Sequence, residues 1–410
     1  MTLLLVGVGG LVTSRGVGMA VPDWPTSYGY NMFFFPISKW VGGIFYEHSH
    51  RLIATIVGVL TVALTRWLGG SRSRFPLAVV GAIEMLAGLF LLRFSSQWQG
   101  TGHFLCGIAG VVLIASLVWI RNAPSPKPLP FLGWLAFVGV QVQGLLGGLR
   151  VVLFKDELGI FHATLAQLFF VLLCIICLLS SRHWLERKEN SAVGFDAAKG
   201  SVPHLAQDSE RKENSAVDFH SMLSRLAVIT TTLIVFQLLL GATMRHQHAG
   251  LAISDFPLAY GKLWPATDPA SISLYNRQRL EVTDANPITA AQVLLQMFHR
   301  IDALFILAGA VLCAIKARHT ATPRFVRVLS FSWLGLLLLQ ATLGAATIWS
   351  NKAADIATAH VLIGALSLAL GAILCIVTLR GTVAVGAAAY AEPLRQPDVP
   401  HSNVKLPAPA

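Results

Sequence analysis

Charged residues are scarce in this chain. Of its 410 residues only 12% are Asp, Glu, Lys or Arg, whereas 54% are hydrophobic. Together with a mean hydropathy of +0.63, this composition excludes an ordinary soluble domain and is typical of a protein that crosses a membrane several times. Acidic residues are rarer than basic residues, which leaves a formal net charge of +11. Because the basic residues cluster in short loops between apolar runs, the excess indicates membrane topology and not a nucleic-acid-binding surface.

Cysteine is also rare. The five cysteines all lie within apolar runs: Cys106, Cys174, Cys177, Cys313 and Cys375. No spacing typical of a disulfide framework is visible. We therefore expect thiols packed in the core and no covalent cross-links.

Apolar runs divide the chain into membrane spans. A helix needs ~20 mainly apolar residues to cross the hydrocarbon. Runs that approach this length lie near residues 50–68, 75–93, 102–120, 130–153, 159–180, 222–243, 294–315, 326–349 and 358–379. Residues 1–12 form a tenth, shorter run, which we interpret as the end of a helix. The sequence therefore predicts an all-α polytopic membrane protein, whose basic loops share the cytoplasmic side.

Histidines occupy matching places in two halves of the chain. The first half carries His50 within EHSHR and His162 after QGLLGG, and the second carries His299 within FHR and His360 after QATLGA. Ionisable side chains inside apolar spans are costly and usually mark function. Neutral imidazole is a standard axial ligand of haem iron. Since all four histidines fall near the outer ends of the spans, they predict two haem sites with one histidine pair each.

A loop ahead of the histidines is repeated as well. GMAVPDWPTSYG at residues 18–29 recurs as GLAISDFPLAYG at residues 250–261, and TSR at 13–15 resembles TMR at 243–245. A parallel repeat of this kind predicts two pseudo-symmetric four-helix bundles in tandem, related by an axis along the membrane normal.

The two halves differ in length. The first half has 52 more residues between its first histidine and its glutamine, and we assign this excess to two extra inserted spans within residues 71–122. The first helix is about ten residues shorter than its counterpart in the second half, so we expect its beginning to be missing.

These patterns define four segments. They are an N-terminal bundle (1–180), a polar cytoplasmic linker (181–221), a C-terminal bundle (222–380) and a disordered tail (381–410). The linker contains ERKENSAV twice, at 186–193 and 210–217, a local duplication typical of a flexible segment. The tail is rich in proline, which favours disorder.

Several motifs together resemble the haem A synthase family. They are the Glu-x-x-His-Arg motif that begins at Glu47, the paired glutamine–glycine segments and the duplicated Asp-x-Pro loop. The resemblance covers most of residues 1–380, apart from the inserted spans and the linker. It implies conversion of haem O to haem A, by oxidation of a ring methyl group to a formyl group, for haem-copper terminal oxidases. Many family members have a cysteine pair in the first outer loop, and residues 14–47 have none, so we expect no thiol-dependent step there.

The resemblance implies a role for each histidine pair. His50 and His162 match the pair taken to hold the substrate haem. His299 and His360 match the pair taken to hold a haem b that relays electrons. The expected cofactors are therefore haem b, with haem O as substrate and haem A as product.

Glu47 is the candidate catalytic residue. It precedes His50 by about one turn, so both project from nearly the same helix face. A carboxylate there can move protons or stabilise positive charge near the reacting methyl group. The alternative is an acid favoured in the first turn of a helix. Since the second half has Gln296 at this position, which cannot ionise, we place the chemistry in the first half.

Other polar residues near the outer ends are weaker candidates. Four arginines are candidates for binding haem propionates, with a simple interfacial position as the alternative: Arg15, Arg51, Arg245 and Arg300. We expect Asp23 and Asp255 to order their loops by capping turns. We expect three further histidines to be solvated: His48, His246 and His248.

The expected setting is an integral protein of a bacterial-type plasma membrane, with the haem sites toward the outer side. Expected partners are haem O, haem O synthase, an electron donor and membrane lipid, without nucleic acid, and a homo-oligomer is left open. The main alternative is a di-haem cytochrome b that only passes electrons to or from quinone. A transporter built from repeats is a third class.

Overall fold

The computed structural model describes residues 1–94, 99–118, 128–181, 184, 206–278, 287–318 and 322–391. Within these residues the regular structure is helical, apart from two isolated antiparallel bridges, Ser27 with Tyr30 and Ala259 with Lys262. The side chains of Asp156, residues 206–221 and residues 381–391 are outside the description.

The helices follow one another along the chain, with a long loop after the first helix of each half, at residues 15–41 and 247–268. They are α1 Thr2–Ser14, α2 Gly42–Gly69, α3 Arg74–Phe94, α4 Gln99–Leu117, α5 Pro128–Leu153, α6 Asp156–Ser180, α7 Ala206–His246, α8 Pro269–Gln278, α9 Ala290–Ala317, α10 Arg324–Trp349 and α11 Ala354–Ala391. Local sequence sets several of these boundaries. For example, α9 begins with a capping box in which Thr289 accepts from the Gln292 amide and Gln292 bonds back to Thr289.

Eight stretches of the described residues are long and apolar enough to cross a membrane. The first, Gly42–Phe94, contains both α2 and α3, which meet at a 3₁₀ turn over Gly70–Ser73 where Gly70 has a φ of +54°. Helix α1 is apolar but shorter. The predicted all-α polytopic membrane fold is confirmed.

Each half forms a four-helix bundle. In the first, α2 packs against α1 and α5, and α6 packs against α5 and more lightly against α1. In the second, α7 packs against α9 and α11, and α10 packs against α9 and α11. The halves meet where α1 and α6 contact α7 and α11. Helix α11 is the most enclosed span, because 56% of its apolar window is buried.

The inserted spans form a hairpin of α3 and α4 beside the first bundle. The two helices approach closely: a methyl group added at Gly88 would lie 2.9 Å from the Gly102 carbonyl oxygen. The hairpin docks through Leu77 and Val112 onto Val62 of α2 and Phe137 of α5. At this same end Arg66 of α2, only 2% exposed, donates to carbonyl groups near the end of α4.

Two helices extend beyond the expected bundle limits. Helix α7 begins at Ala206, inside the segment 181–221 that we expected to be a linker, and α11 continues to Ala391, beyond the expected start of the tail at 381. The physical reason is composition: residues 206–221 contain neither Gly nor Pro, the two residues that most disfavour helix, and residues 381–391 are rich in Ala, which favours it. The first copy of the duplicated octapeptide, 186–193, and residues 392–410 lie outside the described residues.

The structure corrects the alignment of the first helices of the two halves. Gly9 of α1 and Gly241 of α7 take the same place, since each packs against the first histidine of its half. The helix ends agree: Arg15 donates its amide to Leu11, and Gln247 donates its amide to Thr243. Arg15 therefore corresponds to Gln247 and not to Arg245, because the loop register continues unbroken into the helix.

Candidate functional site

Each of the four histidines lies against a glycine of the preceding bundle helix. Methyl groups added at these glycines would approach the histidine Cε1 atoms closely: Gly9 to His50 at 2.9 Å, Gly147 to His162 at 3.2 Å, Gly241 to His299 at 3.3 Å and Gly344 to His360 at 3.2 Å. All four glycines lie near the end of their helix and all four histidines near the start of theirs. The four contacts therefore share one end of the molecule, which we call the histidine end.

The two histidines of the first half face one another. The ring centroids of His50 and His162 are 6.5 Å apart, with an angle of 79° between the planes. This separation is too long for a direct hydrogen bond, but a metal that bonds an imidazole nitrogen on each side at about 2 Å would hold two rings at a separation of this order. In the second half His299 lies within electrostatic range of His360.

The residues present fit a group ligated by imidazole. Nδ1 of His50, His162 and His299 is buried without a hydrogen bond, whereas Nδ1 of His360 donates to the Gln340 carbonyl at 3.1 Å. A fixed donor at one ring nitrogen directs the other nitrogen toward a metal. Nε2 of His360 also lies 3.3 Å from the Gln340 amide nitrogen, a long contact that metal ligation would replace.

Glutamines brace the histidine helices. Gln143 Nε2 donates to the His162 carbonyl at 3.1 Å, and Gln237 Nε2 donates to the His299 carbonyl at 2.9 Å. The glycine four residues after Gln143 admits the His162 ring, so the glutamine and glycine of this motif serve the same contact. The following Gly148 admits the Trp24 ring, which a methyl group would meet at 2.4 Å.

Glu47 and Gln296 both hold an outer loop. Glu47 is 4% exposed, and its Oε2 accepts from the Val21 amide at 2.9 Å. Its Oε1 accepts from Arg51 at 2.8 Å in a buried ion pair. Gln296 accepts from the Ile253 amide at 2.6 Å and returns a hydrogen bond to the Ile253 carbonyl. Both oxygens of Glu47 are thus occupied by the protein itself.

Arg51 and Arg300 also bind the outer loops. Arg51 donates to the carbonyl groups of Val21, Asp23 and Thr26 at 2.7–2.9 Å. Arg300 donates to the equivalent carbonyl groups of the second loop, at Asp255 and Leu258. These contacts direct both guanidinium groups to the loops, which differs from the propionate contacts considered for them.

The aspartates order the loops as predicted. Asp23 accepts from the amides of Tyr28 and Gly29, and Asp255 accepts from the amides of Tyr260 and Gly261. Partial burial raises the pKa of Asp23, but these amide hydrogen bonds outweigh burial and hold the pKa below its usual value.

Two histidines that we expected to be solvated are buried, so that prediction was wrong. His48 has no exposed surface, because it lies between Phe35 and Trp40 and its Nδ1 is 3.2 Å from Ser27 Oγ. His246 is 5% exposed, because it packs against α6 of the other half. The third, His248, is exposed as expected.

The remaining candidate arginines occupy different environments. Arg15 lies over the Tyr46 ring, 4.7 Å from its centroid. Arg245 donates to the Gly10 carbonyl and to Ser14 Oγ, both on α1. Arg245 therefore lies between the two halves, whereas Arg15 stays at the edge of the first.

Sequence patterns did not single out three polar residues inside the spans. Glu84 of α3 accepts a hydrogen bond from Gln141 of α5, Asp302 of α9 is buried with an unbonded Oδ2, and Arg150 ends the glutamine–glycine motif of α5. Their signal was available, because each is an ionisable residue within an apolar run. Within the described parts of the chain, no cluster of three or more His, Cys, Asp or Glu residues forms a metal site, and all five cysteines are free thiols.

These features define a class: an all-α integral membrane protein with two bundles, each bearing a glycine-cradled histidine pair at the same end. Comparison with known families then identifies it. The model of the COX15-CtaA family, described as cytochrome oxidase assembly proteins, matches residues 97–372, more than half of the chain. The chain belongs to this family, the haem A synthase family, and its role is in cytochrome oxidase assembly. A search of curated proteins found no match.

Proposed function

We propose that this protein is a haem A synthase that oxidises a methyl group of haem O to the formyl group of haem A. The observation that carries this proposal is the twofold occurrence of a histidine pair in glycine cradles, within a family that acts in cytochrome oxidase assembly. The reaction replaces two hydrogens of a methyl carbon by one oxygen, which is a four-electron oxidation. With O2 as the oxidant, two successive hydroxylations each consume one O2, two electrons and two protons and release one water, and the resulting geminal diol loses water to give the formyl group. The electrons for the reduction of O2 come from a separate donor.

The two histidine pairs take different parts in this proposal. His50 and His162 hold the substrate haem O and later the product, and His299 and His360 hold a resident haem b. A bound haem b supplies reversible one-electron chemistry. The protein contributes the remaining functions: the glycine cradles fix the ring positions, and the apolar spans exclude water from the reacting edge.

Glu47 contributes through the outer loop. Its contacts with Val21 and Arg51 support a positioning role for this residue. We also predict a direct part for Glu47 in the oxidation. The reason is that its carboxylate lies one turn from His50, whereas the corresponding residue of the second half is the uncharged Gln296.

We further propose that the protein lies in a bacterial-type plasma membrane with its histidine end on the outer side. Arg66, Arg72 and Arg74 lie at the opposite end of α2 and α3, which favours a cytoplasmic position for that end. In this proposal haem O synthase supplies the substrate by direct transfer, and the electron donor is a separate redox partner.

The second candidate function is a di-haem cytochrome b that passes electrons without changing either haem. The two matching histidine pairs favour it equally. The two functions differ in whether a haem with a formyl group is formed.

The test is expression of the chain in cells that make haem O but no haem A, followed by chromatography of the extracted haems. Haem A should appear with the wild-type chain and with the His248→Ala control, whose side chain is exposed. It should be absent with His162→Ala. If a folded, haem-loaded wild-type protein yields only haem O and haem b, the synthase proposal is wrong and the cytochrome remains.

A further inference from the structure

A basic cluster lies between the two halves at the histidine end. It consists of Arg150 from α5 and of Arg245 and His246 from the end of α7. The charges of Arg150 and Arg245 both act on His246, and the charge of Arg150 also acts on His162. The charged neighbours of His246 are Arg150, Arg245, His162 and His248, all of them basic.

The chain makes specific room for two members of this cluster. A methyl group at Gly159 of α6 would lie 2.4 Å from His246 Cε1, so the absence of a side chain there lets His246 of the second half enter the first. Gly159 precedes His162 by one turn on the same helix face. A methyl group at Gly18 of the outer loop would lie 3.0 Å from Arg150 Nη2, so the absence of a side chain there leaves room for Arg150.

The second half has no counterpart of Arg150. By the spacing from Gln143 and Gln340, Arg150 corresponds to Thr347 in the second half. Gly250, the counterpart of Gly18, has no atom within 4 Å of the corresponding methyl position. The first half thus has Arg150 and a place for it beside His162, whereas the corresponding position of the second half is Thr347 and the cation that acts on His360 is Arg245, from the boundary between the halves.

Basic groups in a medium of low dielectric repel one another, and an anion among them removes that cost. Arg binds carboxylates with strong, directional hydrogen bonds, and a neutral imidazole can donate one more. A haem carries two propionate carboxylates. On the proposed function, the haem held by His50 and His162 is the nearest source of such a group.

We propose that Arg150, supported by Arg245 and His246, forms a carboxylate-binding site for a propionate of the haem held by His50 and His162. This proposal rests on the proposed haem site of the first half. A propionate bound at this site would turn the propionate edge of the haem toward the boundary between the two halves. The opposite edge of the haem would then face away from that boundary. Arg150 is then a substrate-orienting residue that the second half lacks.

The test measures binding of iron protoporphyrin IX and of its dimethyl ester, in which both propionates are blocked. The protein carries His360→Ala, so that titration reports on the first-half site, and it is held in phosphatidylcholine nanodiscs, which supply no anionic lipid. The acid form should bind about tenfold more tightly than the ester, the size of one charge-assisted hydrogen bond. Arg150→Thr, which copies Thr347, should abolish this preference while leaving ester binding unchanged.

Two further variants control for charge and folding. Arg150→Lys keeps the charge and should keep part of the preference, and Arg72→Thr removes an exposed arginine and should keep all of it. An unchanged preference in Arg150→Thr, or equal binding of both probes by the parent protein, would overturn this site and leave the haem proposal intact. Failure of the parent protein to bind either probe would overturn both.

Discussion

The two halves build the same loop attachment with different chemistry. In the first half a buried ion pair between Glu47 and Arg51 holds the loop, whereas in the second the neutral Gln296 accepts from the loop amide in the same way. An amide is therefore sufficient to hold such a loop. Holding the loop therefore does not explain why the first half has a charged pair. This pair lies in the half to which we assign the oxidation.

The two halves also differ in other residues and in one structural element. The first half has Arg150 where the second has Thr347, and it has the hairpin α3–α4. The second half has the buried Asp302 where the first has Ile53. The shared features, the histidines and their glycines, serve a common need, and the features found in one half only are where the functions of the halves should diverge.

The largest effect is expected from the histidines. His162→Ala should remove the haem of the first half and abolish haem A formation while haem b remains, and His360→Ala should remove haem b from the extracted haems. The reason is that each residue supplies a ligand to one site only. Optical spectra and extracted haems of the purified variants measure this. A spectrum and haem content unchanged by either substitution in folded protein would show that these histidines are not ligands.

The glycine cradles give the next largest effect. Gly147→Leu should displace the His162 ring and lower haem occupancy of the first half by at least about tenfold, since a methyl group there already lies 3.2 Å from the ring. Gly144→Leu is the matched control on the same helix, because nothing lies within 4 Å of the methyl position at Gly144. Equal haem occupancy in the two variants would contradict the cradle.

Glu47→Gln makes the first half imitate the second. The glutamine should still accept from the Val21 amide, as Gln296 does with Ile253, so both haems should stay bound. If the carboxylate serves the oxidation, haem A should fall several-fold while haem O or a partly oxidised haem accumulates. Chromatography of extracted haems separates the two roles: a normal yield of haem A would leave Glu47 with the positioning role alone.

A smaller effect concerns the acidity of the first loop. Because the pKa of Asp23 is lowered in the folded protein, its contribution to stability is present above the ordinary carboxyl range and is lost as the pH falls through the folded pKa. Hydrogen exchange at the Tyr28 and Gly29 amides, corrected for intrinsic rates, should accelerate on acidification by no more than about tenfold, since the group is partly exposed. Asp23→Asn should remove the pH dependence, and its persistence in that variant would assign it elsewhere.

The smallest effect on haem is expected from the inserted spans. Deletion of residues 71–122 leaves Arg66 without its partners on α4, so the deletion is combined with Arg66→Ile, which copies Ile315 of the second half. Haem content should remain close to that of the full chain, because the hairpin packs on the outside of the first bundle. Complete loss of haem in a membrane-inserted deletion would show that the hairpin helps to build the site.

Periodicity and motif spacing predicted the spans, the repeat and the loop aspartates, because these depend on local composition and on short-range hydrogen bonds. Contacts between the halves and contacts with the long loops were not predictable in this way. The burial of His246 depends on Gly159, which lies on a different bundle, and the burial of His48 depends on aromatic residues of a loop. The alignment of Arg15 with Arg245 was wrong because it was based on residue identity. In the structure Arg15 corresponds to Gln247, two residues further along, and identity alone does not show which helix face a residue occupies.

The most direct test of the account is the haem content of the purified wild-type chain, measured as pyridine haemochrome and iron per polypeptide and by chromatography of the extracted haems. Two matching histidine pairs predict two haem sites per chain, one filled by haem b and the other by haem O or haem A. One haem type at a single site, or no haem in a folded protein loaded in cells that make haem O, would contradict it.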